Sequence, residues 1–324
     1  MTVTNDFTYN AGGTFTHSNG TVKFTGTFDG AGTITSTAAF YNLTIDASGN
    51  TITLASALDV NGAFRLQAGT LNCNSQDQNY AANFQIDSGT TYTAGGTVTF
   101  DGTGTQSITS NSQSFNNLTV TNSSNVVTFA DALSTANLTA TTASTQLTFT
   151  QSTTNVISGT LNLNGQAAGT EIKLRSTSSG TQYILNVTGG AQTVSYVDVK
   201  DSAASSNDIT ANNSINSGGN DDAGASPHWV FGNVTRYWVG TNGGAWSSSS
   251  NWSTSSGGAS GADPPGAGDT AIFDGSDTDG VTLTGNVSVA VLTMQAGYTG
   301  ANAKLDANGS DITTTSTLTI TGGE

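Results

Sequence analysis

The chain runs to 324 residues, yet charged side chains make up only 9% of it, far below the roughly 25% of an ordinary soluble domain. The formal net charge is −15, from 7 Lys+Arg against 22 Asp+Glu. That balance excludes a nucleic-acid partner, which needs clustered cations to neutralise phosphates, and speaks equally against binding to an anionic membrane.

Thr, Ser, Asn and Gly take the places that charges usually hold. Thr favours strands because its branched Cβ suits a pleated surface, whereas Gly, Asn and Ser favour turns. Glu occurs only at positions 171 and 324, and no stretch carries a helical period. Apolar residues fall in pairs separated by one residue and bounded by turn residues, which is the pattern of short strands and not of disorder. No run approaches the roughly 20 apolar residues of a membrane span, so membrane insertion is not expected. Met1-Thr2-Val3-Thr4-Asn5 has neither the basic nor the apolar region of a secretory signal. Ile320-Thr321-Gly322-Gly323-Glu324 stops just after a strand, so the chain reads as a segment of a longer polypeptide or a processed form.

From the N-terminus, the pairs Leu43/Ile45, Ile52/Leu54, Leu58/Val60, Phe64/Leu66, Leu71/Cys73 and Phe84/Ile86 each put two side chains on one face. Phe64 follows Leu43 by 21 residues and precedes Phe84 by 20. A coil of that length with two or three strands describes a parallel β-helix, in which stacked coils bury a shared apolar column. The single cysteine, Cys73, rules out an internal disulfide and reads as a small buried hydrophobe.

A longer recurrence overlies the coils. Gly20-Thr21-Val22-Lys23-Phe24 matches Gly96-Thr97-Val98-Thr99-Phe100 at an offset of 76. Phe40 to Ile45 matches Phe115 to Val120, Ile52-Thr53-Leu54 matches Val127-Thr128-Phe129, and Ala57-Leu58 matches Ala132-Leu133, all at 75. Residues 1–75 and 76–150 therefore read as copies of one unit.

Residues 151–232 read as a divergent third unit, with Leu161/Leu163, Ile172/Leu174, Ile184, Val187 and the strand Val194 to Val199. Within it, the apolar-poor stretch 201–226 reads as a long excursion, closed by Pro227-His228-Trp229-Val230-Phe231-Gly232. The expected architecture is all-β: a parallel β-solenoid over 1–232, then a second, incomplete block over 233–324. That second block opens with a Trp-rich segment, passes through a flexible-looking stretch from Ser253 to Gly268, and resumes strand pairs from Ile272/Phe273 to Leu318/Ile320.

The opening of the second block is Tyr237-Trp238-Val239-Gly240, then Trp246, Asn251-Trp252, Pro265-Gly266 and Gly268 to Phe273. It resembles the start of β-strand-repeat blocks in large bacterial surface proteins, including autotransporter-type passengers and giant adhesin-like proteins. The Phe-x-x-Leu-Thr-Ile/Val units and His228-Trp229-Val230-Phe231 look like their internal repeats. The resemblance implies an extracellular or cell-surface β-solenoid used for adhesion, surface coating or fibre formation. It carries over no catalytic residues. Its partners would be further copies joined head to tail, or neighbouring repeats of a longer chain.

Several residues are candidates for chemistry. Asp274-Gly275-Ser276-Asp277-Thr278-Asp279-Gly280 partly resembles a calcium loop, with Asp274, Asp277 and Asp279 as oxygen ligands, but lacks the later bidentate Glu; a Gly/Asp turn is the alternative, and the same holds for Asn220-Asp221-Asp222. No other cofactor is expected. Trp238, Trp246 and Trp252 are the candidates for stacking on a glycan, against the alternative of a compact aromatic core. Asp198, Asp201, Asp208, Asp221 and Asp222, with Lys200 beside Asp201, are the best candidates for carboxylates that act in pairs across coils; the alternative is turn chemistry, in which Asp caps its own backbone. His17 and His228 lie far apart in sequence and suit neither a triad nor a metal site. The expectation is a non-enzyme: a structural protein first, an adhesin segment binding a glycan or host surface second, a carbohydrate-active enzyme third.

Overall fold

The computed structural model describes residues 1–10, 15–26, 31–167, 169–222, 224–232, 234–266 and 268–323. The chain divides into two compact units. The first comprises Met1–Gln166, Thr170–Thr210 and Asn216–Val230; the second comprises Phe231–Glu324 with the short pieces Ala167–Gly169 and Ala211–Ile215. Both are built from parallel strands, and a single turn of 3-10 helix, Ser249–Asn251, is the helix among the described residues.

In the first unit the coil is explicit in the register. Val22 pairs with Leu43, Leu43 with Phe64 and Phe64 with Phe84. The ladder continues through Ile108, Phe129 and Phe149. All seven are buried. A second column runs Leu58, Gln78, Val98, Leu118, Leu138 and Leu161. A third face carries Ile34 beside Leu54, then Ile52, Leu71 and Tyr92. Each coil thus turns through three faces. The largest sheet counts 14 strands because Asn42–Leu54 and Phe64–Asn72 run unbroken round a corner and join two faces.

Along the columns aromatic rings meet their equivalents one coil away. Phe64 and Phe84 stack with centroids 5.0 Å apart and Phe129 and Phe149 at 5.1 Å, while Tyr183, from another face, stacks on Phe149 at 4.7 Å. Buried amides hydrogen-bond to the backbone at the corners. Gln106 Nε2 donates to Tyr80 O at 2.8 Å and to Ala82 O at 3.1 Å, while Gln106 Oε1 accepts from Asn122 Nδ2 at 3.1 Å.

Three expectations need correcting. The 75-residue recurrence is not a structural translation. Val22 and Leu43 stand in the first column, whereas their matches Val98 and Leu118 stand in the second. An offset of 75 is three coils and a large fraction of a fourth, so it carries each segment to a different face. Next, 201–226 is not a bare excursion. Ser202–Ser205 pairs in parallel with Tyr183–Val187, and Ser202, Ala204 and Ile209 point inward. Small inward residues hide that coil from an apolar-pair reading. Finally, Ile184 faces outward, because Tyr183, Leu185 and Val187 hold the interior positions.

The second unit repeats the scheme on a shorter scale. Thr235–Trp238, Thr270–Phe273, Val287–Met294 and Ile312–Ile320 form successive parallel rungs. Trp252–Ser253 adds an antiparallel strand to Thr235–Trp238. A second face pairs Gly244–Ala245, Val281–Thr282 and Leu305–Asp306. The stretch after Ser253 has no regular structure but is tied in place. Ala262 N donates to Trp252 O at 3.0 Å, and the buried Arg236 donates from Nε to Asp263 O at 3.0 Å.

Candidate functional site

The three tryptophans come together in the core of the second unit. Trp238 meets Trp252 edge-on at 5.2 Å, Trp246 meets Trp252 at 4.8 Å, and Phe273 and Tyr298 complete the cluster. Two of the three polar handles are consumed internally: Trp238 Nε1 donates to Asp279 O at 2.8 Å and Trp252 Nε1 to Trp246 O at 2.7 Å. Trp238 and Trp252 are fully buried and Trp246 nearly so. A sugar ring stacks on an exposed aromatic face, and these faces are covered by one another. The geometry is that of an aromatic core closing the first rungs of the block.

The aspartate loop lies directly against that core. Asp274 Oδ1 accepts from the Ser276 amide at 2.9 Å, and Asp277 Oδ1 accepts from the Asp279 amide at 2.9 Å. Each is a side chain turning its own backbone. Burial pushes the Asp274 carboxyl up, but hydrogen bonds from Ser256 and Ser276 outweigh it and leave the group below the usual range. Burial raises Asp277. The Asp279 carbonyl, the backbone oxygen of the loop, accepts from both Trp238 Nε1 and Tyr298 Oη. Among the described residues no three His, Cys, Asp or Glu side chains converge on one point that could hold a metal ion.

Four of the five candidate carboxylates of the first unit, Asp198, Asp201, Asp208 and Asp222, are bound to separate local partners. Asp198 is ion-paired with Arg175 and accepts from Ser217 Oγ at 2.6 Å. Asp201 Oδ2 accepts from Gly180 N at 3.0 Å, and Asp222 from Asn216. Asp208 accepts from Ser226 Oγ at 2.5 Å and from the His228 amide at 3.0 Å, and these donors hold its carboxyl below the usual range. His17 instead stacks on Tyr41 at 5.7 Å. The four carboxylates build corners; Asp59 and Asp101 instead lie close enough to interact, and burial raises both carboxyls.

Two features escaped the sequence reading. One is the open face of the outermost described rung of the second unit. Leu318 and Ile320 pair with Leu292 and Met294 and so occupy the inward rows, yet they are 54% and 61% exposed. With Leu305 and Ile312 they line an open apolar cavity of about 360 Å³. Their i, i+2 spacing was visible in sequence; their exposure was not. The other is a stepped corner in the first unit, at Gly49, Gly69 and Gly89, all with φ between 75° and 87°. The signal was there, as glycine recurring every 20 residues just ahead of threonine.

No family model, curated protein or solved structure matches this chain.

Proposed function

We propose that the chain is a non-catalytic extracellular structural protein, a repeat block of a surface fibre, filament or layer that grows by stacking coil upon coil. The observation that carries this reading is the open rung at Ile312–Ile320. Its inward rows continue those of the rungs beneath, so it offers a parallel edge above an apolar floor. Such an edge is a template for another strand, and each large apolar side chain fully covered there gains roughly 1.5–3 kcal/mol. The surface that fits is another coil with the same inward spacing, as a neighbouring repeat of a longer chain or a second copy of this chain provides. Joined head to tail, copies form an open filament.

The local engagement of Asp198, Asp201, Asp208 and Asp222 supports the non-catalytic part of the reading. The extracellular part rests on the Thr/Asn/Gly composition and on the resemblance to bacterial surface repeats. Electron microscopy of the purified chain at rising concentration is the test. Strings of end-joined particles are expected, and dispersed single particles at high concentration would count against the proposal.

A further inference from the structure

Arg236 is a cation in an interior row. On its rung, Arg236 and Trp238 hold the inward positions, and Arg236 pairs with the buried Ala271 of the next rung. It is only 6% exposed, and a buried cation is costly unless polar groups receive it. Its Nε donates to Asp263 O at 3.0 Å and its Nη1 to Thr235 O at 3.4 Å. Asp263 O is the carbonyl oxygen of the Asp263–Pro264 peptide bond, the one Asp–Pro bond in the sequence. The chain is anchored on both sides of that bond. Upstream, Gly261 N and Ala262 N both donate to Trp252 O at 3.0 Å, and Ala262 is buried. Downstream, Pro265 is buried and Gly266 N donates to Asp269 Oδ2 at 2.8 Å. Asp263 and Pro264, between the anchors, are half-buried and within reach of water.

An Asp–Pro bond carries its own nucleophile. The Asp carboxylate closes a five-membered ring on the carbonyl carbon of the same residue, and such intramolecular attack has a high effective molarity. The leaving group is a tertiary amide nitrogen with no N–H, which departs as a secondary amine once it takes a proton. The negative charge that develops during attack lies on Asp263 O, the atom that Arg236 Nε already addresses. A donor fixed in advance at a developing oxyanion lowers the barrier to acyl transfer. Arg236 is fixed in this way, by its inward position on a paired rung.

We propose that Asp263–Pro264 is a self-cleavage site, with Asp263 as nucleophile and Arg236 as the group that stabilises the oxyanion. A carboxylate oxygen of Asp263 bonds to the Asp263 carbonyl carbon, and the bond from that carbon to Pro264 N breaks. Its electron pair goes to Pro264 N, which takes a proton from solvent, and one water opens the cyclic anhydride left on Asp263. The net change is hydrolysis into 1–263 and 264–324. The step needs an ionised carboxylate and a protonated leaving nitrogen, so acid speeds it until carboxylates themselves protonate, at about pH 4. The two pieces stay together, because Thr235–Trp238 pairs with Thr270–Phe273 across the break and Phe273 packs on Trp238, Trp246 and Trp252. The proposal is independent of end-to-end assembly, and one scission per chain is no turnover of a substrate.

The test is incubation of the full chain at the lowest pH at which circular dichroism still shows the native fold, beside a sample unfolded in urea at the same pH. Cleavage is followed by intact mass and denaturing gels. The native parent is expected to give the two pieces about 100-fold faster than the unfolded sample, the scale of one oxyanion donor. The pieces should co-elute in size-exclusion chromatography under native conditions. Asp263→Ala is expected to stay intact, and folded Arg236→Gln to fall to the rate of the unfolded parent. Should Arg236→Gln fail to fold, the ratio of native to unfolded parent alone decides. A native parent that cleaves no faster than the unfolded one would overturn the proposal, as would folded Arg236→Gln cleaving at the parent's rate or a junction elsewhere in the chain.

Discussion

Gly69 lies at φ +87°, and a Cβ there would overlap the carbonyl oxygen of Ala47 in the preceding coil. Gly89 has a similar φ of +78° but faces open space. Left-handed backbone costs an L-residue roughly 1–2 kcal/mol, and only Gly69 adds a collision. Urea denaturation should therefore show Gly69→Ala losing more stability than Gly89→Ala; equal losses would mean that the coils yield at this corner. Cys73 offers a second check. Its thiol is buried, donates to Gln78 Oε1 at 3.3 Å, and is pushed by burial up to about 11. A thiol reagent at pH 8 should leave the native protein unlabelled and modify it fully in denaturant. Asp269 gives a pH dependence. Burial raises its carboxyl, although the amides of Gly266 and Val234 donate to it. A carboxyl raised in the folded state contributes stability that is complete below its unfolded pKa of about 4 and is lost as pH rises through the folded value. The stability gap between wild type and Asp269→Asn should shift in favour of wild type on acidification through that window, as thermal melts across pH would show.

At the scale of the element, the strands were legible because inward residues alternate with polar ones at Leu43/Ile45, Leu58/Val60 and Phe64/Leu66, and all six are buried. The coil length followed from their 20- to 21-residue recurrence. What was not legible was which face each strand occupies, since the same Val-Thr-Phe pattern serves Val98 on one face and Val127 on another. Coils with small interiors, such as Ser202–Ser205, were invisible for want of large side chains. At the candidate sites, the tryptophan cluster could be read as a group, but its burial depends on Phe273 and Tyr298 arriving from later in the chain. That packing makes a prediction: Trp252→Ala should destabilise the second unit by about 3–5 kcal/mol, seen as early loss of its near-ultraviolet signal on heating. A variant that melts like the parent would remove the cluster from the core.

At the scale of the whole molecule, each coil touches mainly the coils before and after it, so stability accumulates by nearest-neighbour stacking. A fold of this kind has no internal reason to stop: any rung that buries its inward rows on one side presents the same rows on the other. Natural sheets close such edges with charges, prolines or covering loops, and Leu318 and Ile320 show none of these at their own positions. The most direct measurement is sedimentation velocity of the parent and of a Leu318→Lys/Ile320→Lys double variant over a wide concentration range. The account predicts that the parent grows into larger species with concentration, while the variant stays monomeric with an unchanged melting temperature. A parent that remains monomeric throughout, or a variant that assembles equally well, would contradict it.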